Sequence, residues 1–498
     1  MSSKYDMVII GSGPGGLTSA LILAKAGYKV LVLEKHFKAG GGLHNFKRKG
    51  VNFDTGIHYV GSLDDGQILN QLYKYLGILP HLNLKKMDED CFDLISFNGK
   101  EYKLAQGFDR FESSLIKDFP EEEAAIRKFS HDIQEITGKE DLYNMRVPNE
   151  NGGTFNENIQ VSAFEYIKKL TSNEDLQMVL ASLNSLYAGK KESSSLYTHA
   201  FITHHLIQSA YRFKNGSQEL ADVMVKLIQD LGGEVLLKRE VNGFEYEGDI
   251  ISAVLTSSGE RFEAKNVISS THPMITLNMV EKGRLRKAYR NRISSVPNTF
   301  SSFGLYIKLK KDSFKHMNYN IQEYLDNDTW GVDNYDPKKF PAGYFACTSQ
   351  SPENEDMADT LVVITLMDFS EVEKWENTKV NKRGDDYLKF KEEKAEKVIS
   401  LLEKRYPDLR EKIESFYTST PLTLRDYLGA EEGGMYGLLL DYNQPARSFL
   451  PVRTHIPNLI FTGQNINLHG LLGTSMSALI SCTDFVDINK LIVDIRNA

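Results

Sequence analysis

The chain opens on short, wholly apolar runs separated by glycine. Residues 8–10 (Val-Ile-Ile) are short enough for a buried strand, and residues 29–33 form a second apolar run. Between them Leu17, Leu21 and Ala24 recur at helical spacing, so residues 7–34 read as strand, helix, strand, ending on Glu34. Gly11, Gly13 and Gly16 open the helix in G-x-G-x-x-G register, with Ser12, Pro14 and Gly15 in the variable places. The first glycine permits a tight turn, the second lets backbone approach a pyrophosphate, and the third lets helix pack on strand. The helix N-terminus offers that pyrophosphate free N–H groups and a partial positive charge. Glu34, 18 residues after Gly16, can accept hydrogen bonds from ribose hydroxyls and would repel a 2′-phosphate. A lone glycine fingerprint carries little; here strand, loop, helix, strand and acid follow in order, which favours a dinucleotide site over a merely structural turn.

Further along, Lys35 and His36 lead into Gly40-Gly41-Gly42-Leu43, a backbone flexible enough to press on a ligand or to form a plain exposed loop. Residues 51–60 look like a strand bent at Gly56. Helical spacing predicts helices over 67–77, 121–140, 161–170, 175–186 and 215–232, and a long polar helix over 385–404. Residues 146–160, with Pro148 and a Gly152-Gly153 pair, read as a loop. Strand-like runs follow at 233–237, 239–241, 243–247, 250–256, 261–264 and 266–270, and again at 300–308 and 360–368. Near the C-terminus, residues 457–464 end in Thr462-Gly463-Gln464, and the run 469–473 opens an apolar helix expected over 474–482. No internal repeat is present.

Composition narrows the function classes. A 41% hydrophobic and 25% charged content is ordinary for a soluble globular protein, and 498 residues supply ample core. A net charge of −8 leaves no basic footprint, so nucleic acid is not expected as a partner. Cys91, Cys347 and Cys482 are far apart and form no C-x-x-C pair, which suits a reducing compartment and predicts neither disulfide nor zinc. Residues 1–6 are short and polar, so a signal peptide is not expected, and the expected location is cytoplasmic. Two uncharged stretches, 193–211 and 454–483, are interrupted by histidines or by proline, glycine and asparagine, and neither reads as a membrane span. In the first, Leu196, Ala200, Thr203, Ile207 and Tyr211 fall on one helical face; core packing is the default reading, and a membrane-facing surface is the other. His199 with Glu192 hints at a metal cluster, but no partner carboxylate stands at ligand spacing, so no metal is expected.

A family resemblance rests on four features together: the glycine fingerprint, the acid ending the second strand, the double glycine and the segment Phe53-Asp54-Thr55-Gly56. This set resembles the flavin-dependent amine oxidase and phytoene desaturase superfamily. The fuller pattern G-G-x-x-H with Phe53-Asp54-Thr55-Gly56-Ile57-His58-Tyr59, and the C-terminal tail, is more similar to the retinol saturase and carotenoid-isomerase branch. The resemblance spans both ends and the middle of the chain. It implies an α/β fold: a Rossmann-like FAD-binding domain from residues 1–85, 211–275 and 420–498, with an inserted α+β substrate-binding domain from 86–210 and 276–419.

The cofactor implied is FAD, held by Gly11, Ser12, Gly13, Pro14, Gly15, Gly16, Glu34, Lys35, His36, Gly41, Gly42, Leu43, Gly56, Ile57, His58, Ser270, Gly463, Gln464, Leu472, Gly473 and Thr474. The Val241 position, in such flavoproteins, uses its backbone to hold adenine. A strand ending in Thr-Gly ahead of a helix N-terminus suits the flavin edge that becomes negative on reduction. His58 and Tyr59 are the candidate catalytic proton donors, each weighed against a purely structural role. With one dinucleotide fingerprint and no nicotinamide domain, electrons must come from a transient NAD(P)H or a protein donor.

The activity implied is reduction of a carbon–carbon double bond in a lipophilic retinoid- or carotenoid-like polyene. A carotenoid desaturase or cis–trans isomerase is the alternative; more distant are an amine oxidase-like enzyme and a non-catalytic flavin-binding protein. A polyene held in lipid also implies peripheral contact with the inner face of a membrane. Gly42-Leu43 stands where saturases tend to carry cysteines, and Glu431-Glu432 adds charge just before Tyr436-Gly437, so the substrate stays open.

Overall fold

The structure is a computed structural model describing residues 4–147, 156–325 and 327–498. Its first layer follows from the opening residues. Val8, Ile9, Leu31 and Val32 lose all solvent contact, and the runs containing them, β1 (Tyr5–Ile10) and β2 (Val30–Glu34), pair in parallel. The crossover is α1 (Pro14–Lys25), whose Leu17, Leu21 and Leu23 pack on the sheet. β2 is flanked by Glu234–Leu237, and β1 by Arg261–Ser269; both pairings are parallel. Beyond these, Ile250–Thr256 and Val241–Glu247 continue the sheet antiparallel, while Leu459–Phe461 joins the end of Arg261–Ser269 in parallel. Strands distant in sequence thus share one sheet, with the glycine loops at its carboxyl edge.

A second seven-stranded sheet runs in the order Ile413–Ser419, Ser302–Leu309, Ala358–Leu366, Gly343–Gln350, Asn320–Tyr324, Asp93–Phe97, Lys100–Leu104. It is antiparallel except where Asn320–Tyr324 lies parallel to Asp93–Phe97, with Asn320 opposite Asp93. The helix Asp385–Arg405 packs on it through Ala395, Val398 and Leu402.

The helix Leu196–Gln208 begins where the Ser195 hydroxyl accepts the Thr198 N–H. It carries no Asp, Glu, Lys or Arg, and its buried residues lie all round it, Thr198, His199, Thr203 and His204 among them. Leu196, Ala200 and Ile207 are at most 3% exposed, so the membrane-facing reading of residues 193–211 is corrected: this surface belongs to the core. Tyr211 leaves the helix for the strand Ala210–Phe213.

Other expectations shift at their boundaries. The segment over 51–60 divides into strands Val51–Asp54 and Val60–Gly61. The helix expected over 175–186 is Glu174–Ala181 followed by a 3-10 turn, Ser182–Tyr187. The C-terminal helix starts at Gly470 rather than Thr474. The glycine run, poor in helix propensity, is helical there because Gly473 packs on Leu468, where a Cβ would meet the backbone at 2.3 Å. Of the loop expected over 146–160, residues 148–155 lie outside the described residues, and Glu157–Gln160 forms a 3-10 turn capped by Asn156.

Candidate active site

Four glycine contacts assemble the nucleotide cradle. Gly11 adopts φ +91°, and a Cβ on Gly16 would lie 2.2 Å from the Gly11 carbonyl, so α1 can seat on β1 only with glycine there. Gly15 stands against Gly463, where a Cβ on Gly15 would lie 2.7 Å from the Gly463 Cα; this brings the Thr-Gly turn onto α1. Gly41 faces Gly13, and Gly56 faces the Gly42 carbonyl. By contrast, a Cβ on Gly42 would meet nothing within 4 Å, and one on Gly13 would meet only the Ser270 hydroxyl at 3.7 Å. Open space therefore lies where a ligand would press on these backbones. Neither α1 nor the helix Gly470–Cys482 has a side-chain cap, so both present free N–H groups to an anionic ligand.

Glu34 organises the loops of this cradle. One carboxylate oxygen accepts the Ser12 N–H (2.9 Å) and hydroxyl (2.6 Å), and the other accepts the His36 N–H (2.8 Å). The Ser12 hydroxyl in turn accepts the Gly40 N–H (3.2 Å). Lys238 and Arg239 donate backbone N–H groups to the carbonyls of His36 and Glu34, which places buried Val241 beside the acid. The His36 ring lies near Phe37, His44 and Tyr427.

Not every expected residue offers its side chain. Leu43 points into the core, the Thr474 hydroxyl is bonded to the Gly470 and Leu471 carbonyls, and Lys35 runs toward Gly429. The Gln464 backbone faces the His469 ring. For these positions, backbone is what remains for a ligand at Leu43 and Thr474. Asp54, in the Phe-Asp-Thr-Gly segment, accepts the Ser217 N–H (2.8 Å) and hydroxyl (3.0 Å) and locks the segment to a helix; burial pushes its carboxyl up to about 6.

Beside the cradle lies a cavity of about 740 Å³, within the range of small-molecule sites. Ile57, Leu472 and Gly473 form the wall on the cradle side, Phe201 and Leu206 another, and Phe345 a third. His58 and Tyr59 both line it. The buried His58 ring lies 5.5 Å from Phe345, its Nε2 has no partner among the described residues, and desolvation holds it down at about 4, so it is neutral at pH 7. Tyr59 donates its hydroxyl to Asp93 (2.9 Å). Burial first, then the Asp93 charge, pushes the phenol well above its ordinary range. Asp93 also accepts the side-chain amides of Asn320 (2.6 Å) and Gln322 (2.7 Å). His469, across the cavity near Tyr436, has an unpartnered Nδ1 and is likewise held down to about 4 by burial.

The three histidines of residues 193–211 are satisfied within the protein. His199 pairs with the Tyr187 hydroxyl and the Leu180 carbonyl, His204 with the Tyr143 hydroxyl, and His205 with Ser62 and the Gly61 N–H. The structure does not bring Glu192 to them as a ligand set.

Residues 14–305 match the profile of the family described as "Flavin containing amine oxidoreductase". The chain belongs to that family. This flavoenzyme is 30% identical to all-trans-retinol 13,14-reductase of Rattus norvegicus, over 99% of this chain and 87% of the rat protein. It is 25% identical to prolycopene isomerase 2 of an Oncidium hybrid cultivar, over 88% of this chain and 76% of that protein. Among solved structures, an oxidoreductase from Methanosarcina mazei superposes with a TM-score of 0.62 at 14% identity, covering 95% and 98% of the two chains, a likeness of fold.

FAD is the cofactor of this oxidoreductase, and the residues present fit it. Two uncapped helix ends, the open faces of Gly13 and Gly42, and a buried acid that ends β2 supply what a dinucleotide and a flavin edge require. When bound, FAD supplies hydride transfer at its reactive ring. Sequence reasoning missed Asp93, Asn320, Gln322 and His469. The signal for Asp93 was an acid inside an apolar run, Phe92-Asp93-Leu94-Ile95; its amide partners lie more than 220 residues away and carry no local mark.

Proposed function

We propose that this flavoenzyme reduces a carbon–carbon double bond of a conjugated, lipophilic polyene of the retinoid or carotenoid kind. The observation that carries the reading is the cavity itself: a cleft partly open to solvent, walled largely by aliphatic and aromatic side chains, and continuous from the cradle-side residues Ile57, Leu472 and Gly473 to Phe345 and Tyr324. Such a site holds a flat apolar chain, and the bound chain displaces water and so protects a reactive hydride from solvent. Its charged lining residues include Glu323, Asp328, Asp336 and Lys339, while His58, on the wall it shares with Ile57 and Tyr59, is neutral at pH 7. The name of the rat relative supports the same substrate class.

The protein's own part is positioning and protonation. The helix beginning at Gly470 points its free N–H groups at the cavity and stabilises negative charge that develops there. Tyr59 supplies a protic hydroxyl at the wall, and the neutral His58 ring, through its unpartnered Nε2, can orient a polar group beside it. Product must leave to lipid, so we expect exchange at a membrane surface, through a face other than the buried helix Leu196–Gln208; NAD(P)H or a protein donor recharges the cofactor.

The test is anaerobic: photoreduce the FAD-loaded protein, add a retinoid or carotenoid, and follow reoxidation together with product mass. Product two mass units heavier than substrate supports reduction. Product of unchanged mass and altered geometry favours the second reading, a cis–trans isomerase, which the Oncidium relative supports. A lighter product from oxidised enzyme refutes both.

A further inference from the structure

Adding a proton to carbon needs an acid whose loss of a proton is tolerated in a dry cavity. A tyrosine alone is poorly suited. Its ordinary pKa is about 10, and Tyr59 lies in surroundings that disfavour the phenolate further. A bare phenolate left at an apolar wall would be a buried, unpaired charge. The Tyr59 hydroxyl therefore needs its proton replaced as it gives one up.

The structure places a carboxyl group at the right position to do so. Asp93 has no solvent exposure and lies behind Tyr59, with Oδ2 2.9 Å from the phenol oxygen. That contact serves donation in either direction: phenol to carboxylate, or carboxylic acid to phenol. The parallel pairing of Asp93–Phe97 with Asn320–Tyr324 sets Asn320 directly opposite, and its amide donates to Oδ1 while Gln322 donates to Oδ2. Burial favours the acid before the step; the two amides, with Arg212 donating to the side-chain Oδ1 of Asn320 at 2.7 Å, receive the carboxylate after it. The network is thus built for both charge states of one group.

We propose that Asp93 is the proton store for Tyr59: as hydride from the reduced cofactor reaches one carbon of the polyene double bond, Tyr59 protonates the neighbouring carbon and takes the Asp93 proton in its place. The step, which rests on the reduction proposed above, balances. Two C–H bonds form and one C=C π bond is lost. The Tyr59 O–H breaks and is remade with the Asp93 proton, and Asp93 ends as a carboxylate that water reprotonates between turnovers. Asp93 never touches substrate in this scheme; it is a positioning residue acting through Tyr59.

The pH dependence follows from the groups that face Asp93. These are Arg212 from the strand Ala210–Phe213, Cys91 and Tyr59, Tyr324 on the neighbouring strand, and Cys347 from Gly343–Gln350. Burial pushes both thiols up, to about 12 and about 11, and raises the phenols, so none of them titrates near neutrality. Burial pushes Asp93 itself up to about 6, against the opposing pull of its hydrogen bonds and of Arg212. The relay needs the acid form, so turnover falls as pH rises through that value. Asp54 also titrates near 6 and must be told apart by mutation.

The experiment uses FAD-loaded protein and two readouts. Infrared difference spectra between pH 5 and pH 8 should show a buried carboxylic-acid carbonyl band that Asp93→Asn removes and Asp54→Asn does not. In the anaerobic assay, Asp93→Asn should slow product formation by about 10²-fold, at the low end of general acid catalysis, and flatten the limb near pH 6, with FAD still bound. Tyr59→Phe should remove the same limb. If Asp93→Asn does not fold, Gln322→Met provides the second test: losing one donor to the carboxylate should move both band and limb to higher pH. Absence of the band at pH 5, or an Asp93→Asn profile identical to wild type, overturns the relay. A wild-type protein that turns over no polyene overturns the reduction reading beneath it.

Discussion

Replacing Gly16 by alanine should separate the packing of the cradle from its chemistry. The added Cβ would sit 2.2 Å from the Gly11 carbonyl oxygen and about as close to Ser270 as 3.0 Å. The first obstacle is backbone of the turn that leaves β1 and cannot swing aside like a side chain. Reaching even 3.0 Å, the shortest separation real Cβ atoms show, requires α1 to retreat by 0.8 Å at its first turn. Overpacking of this kind costs ~1–3 kcal/mol. The displaced groups are the free N–H donors of the helix N-terminus, so the same shift weakens the hold on a pyrophosphate. If that loss is of similar size, FAD affinity falls ~5–150-fold. Gly42→Ala is the matched comparison, because its Cβ would meet no protein atom within 4 Å. It should leave the melting temperature of the cofactor-free protein unchanged and weaken only FAD binding. Thermal denaturation of the stripped protein and titration of flavin fluorescence read the two effects apart. Gly16→Ala protein that melts and binds FAD like wild type would refute the packing argument.

Other perturbations follow the same geometry. Glu34→Gln keeps the shape of the side chain but gives up charge-assisted bonds to Ser12 and His36, each worth ~1.5–3 kcal/mol in a buried setting, so flavin titration should show weaker binding and limited proteolysis a looser loop. Val332→Trp, which fills part of the cavity, should abolish polyene-dependent reoxidation while the protein stays yellow. Stability should fall as pH drops from about 6.5 to about 4. Burial holds His58, His199, His204 and His469 down at about 4, and His205 and His316 at about 3, so the unfolded chain binds more protons in this window. Asp54 and Asp93, raised to about 6, act oppositely between about 3.8 and 6 but are fewer. Melting temperatures that rise on acidification across this range would contradict the assignment.

The features legible in sequence were those whose partners lie nearby. The strand–glycine–helix–strand unit ending on Glu34 is local, its turn chemistry is specific, and it forms as expected. Leu196, Ala200, Thr203 and Ile207 were legible as core through their helical spacing, whereas Tyr211, on the same expected face, lies half-buried in a strand. Three kinds of information were not local. Helix onset at Gly470 depends on Gly473 meeting Leu468, a contact that overrides weak propensity. The role of Glu34 as a loop organiser depends on Ser12 and Gly40 converging on it from two loops. Asp93 needed the register of a parallel strand pair to acquire Asn320, and a bend after Gly56 to acquire Tyr59. An acid in an apolar strand was the visible mark; its meaning lay in the pairing.

The contact of Gly15 with Gly463 bears on how the protein is made. The ribosome must add the 448 residues from position 15 to position 463 before the cradle can close. At synthesis rates of ~5–20 residues per second, the interval is ~20–90 s. Throughout it, β1 lacks the Leu459–Phe461 segment beyond its neighbour strand, and α1 lacks the helix Gly470–Cys482 that covers it. Cofactor capture is therefore a late event of biogenesis, and nascent chains stalled before the Thr462-Gly463 turn should emerge colourless and depend on chaperones to keep their first apolar layer from aggregating.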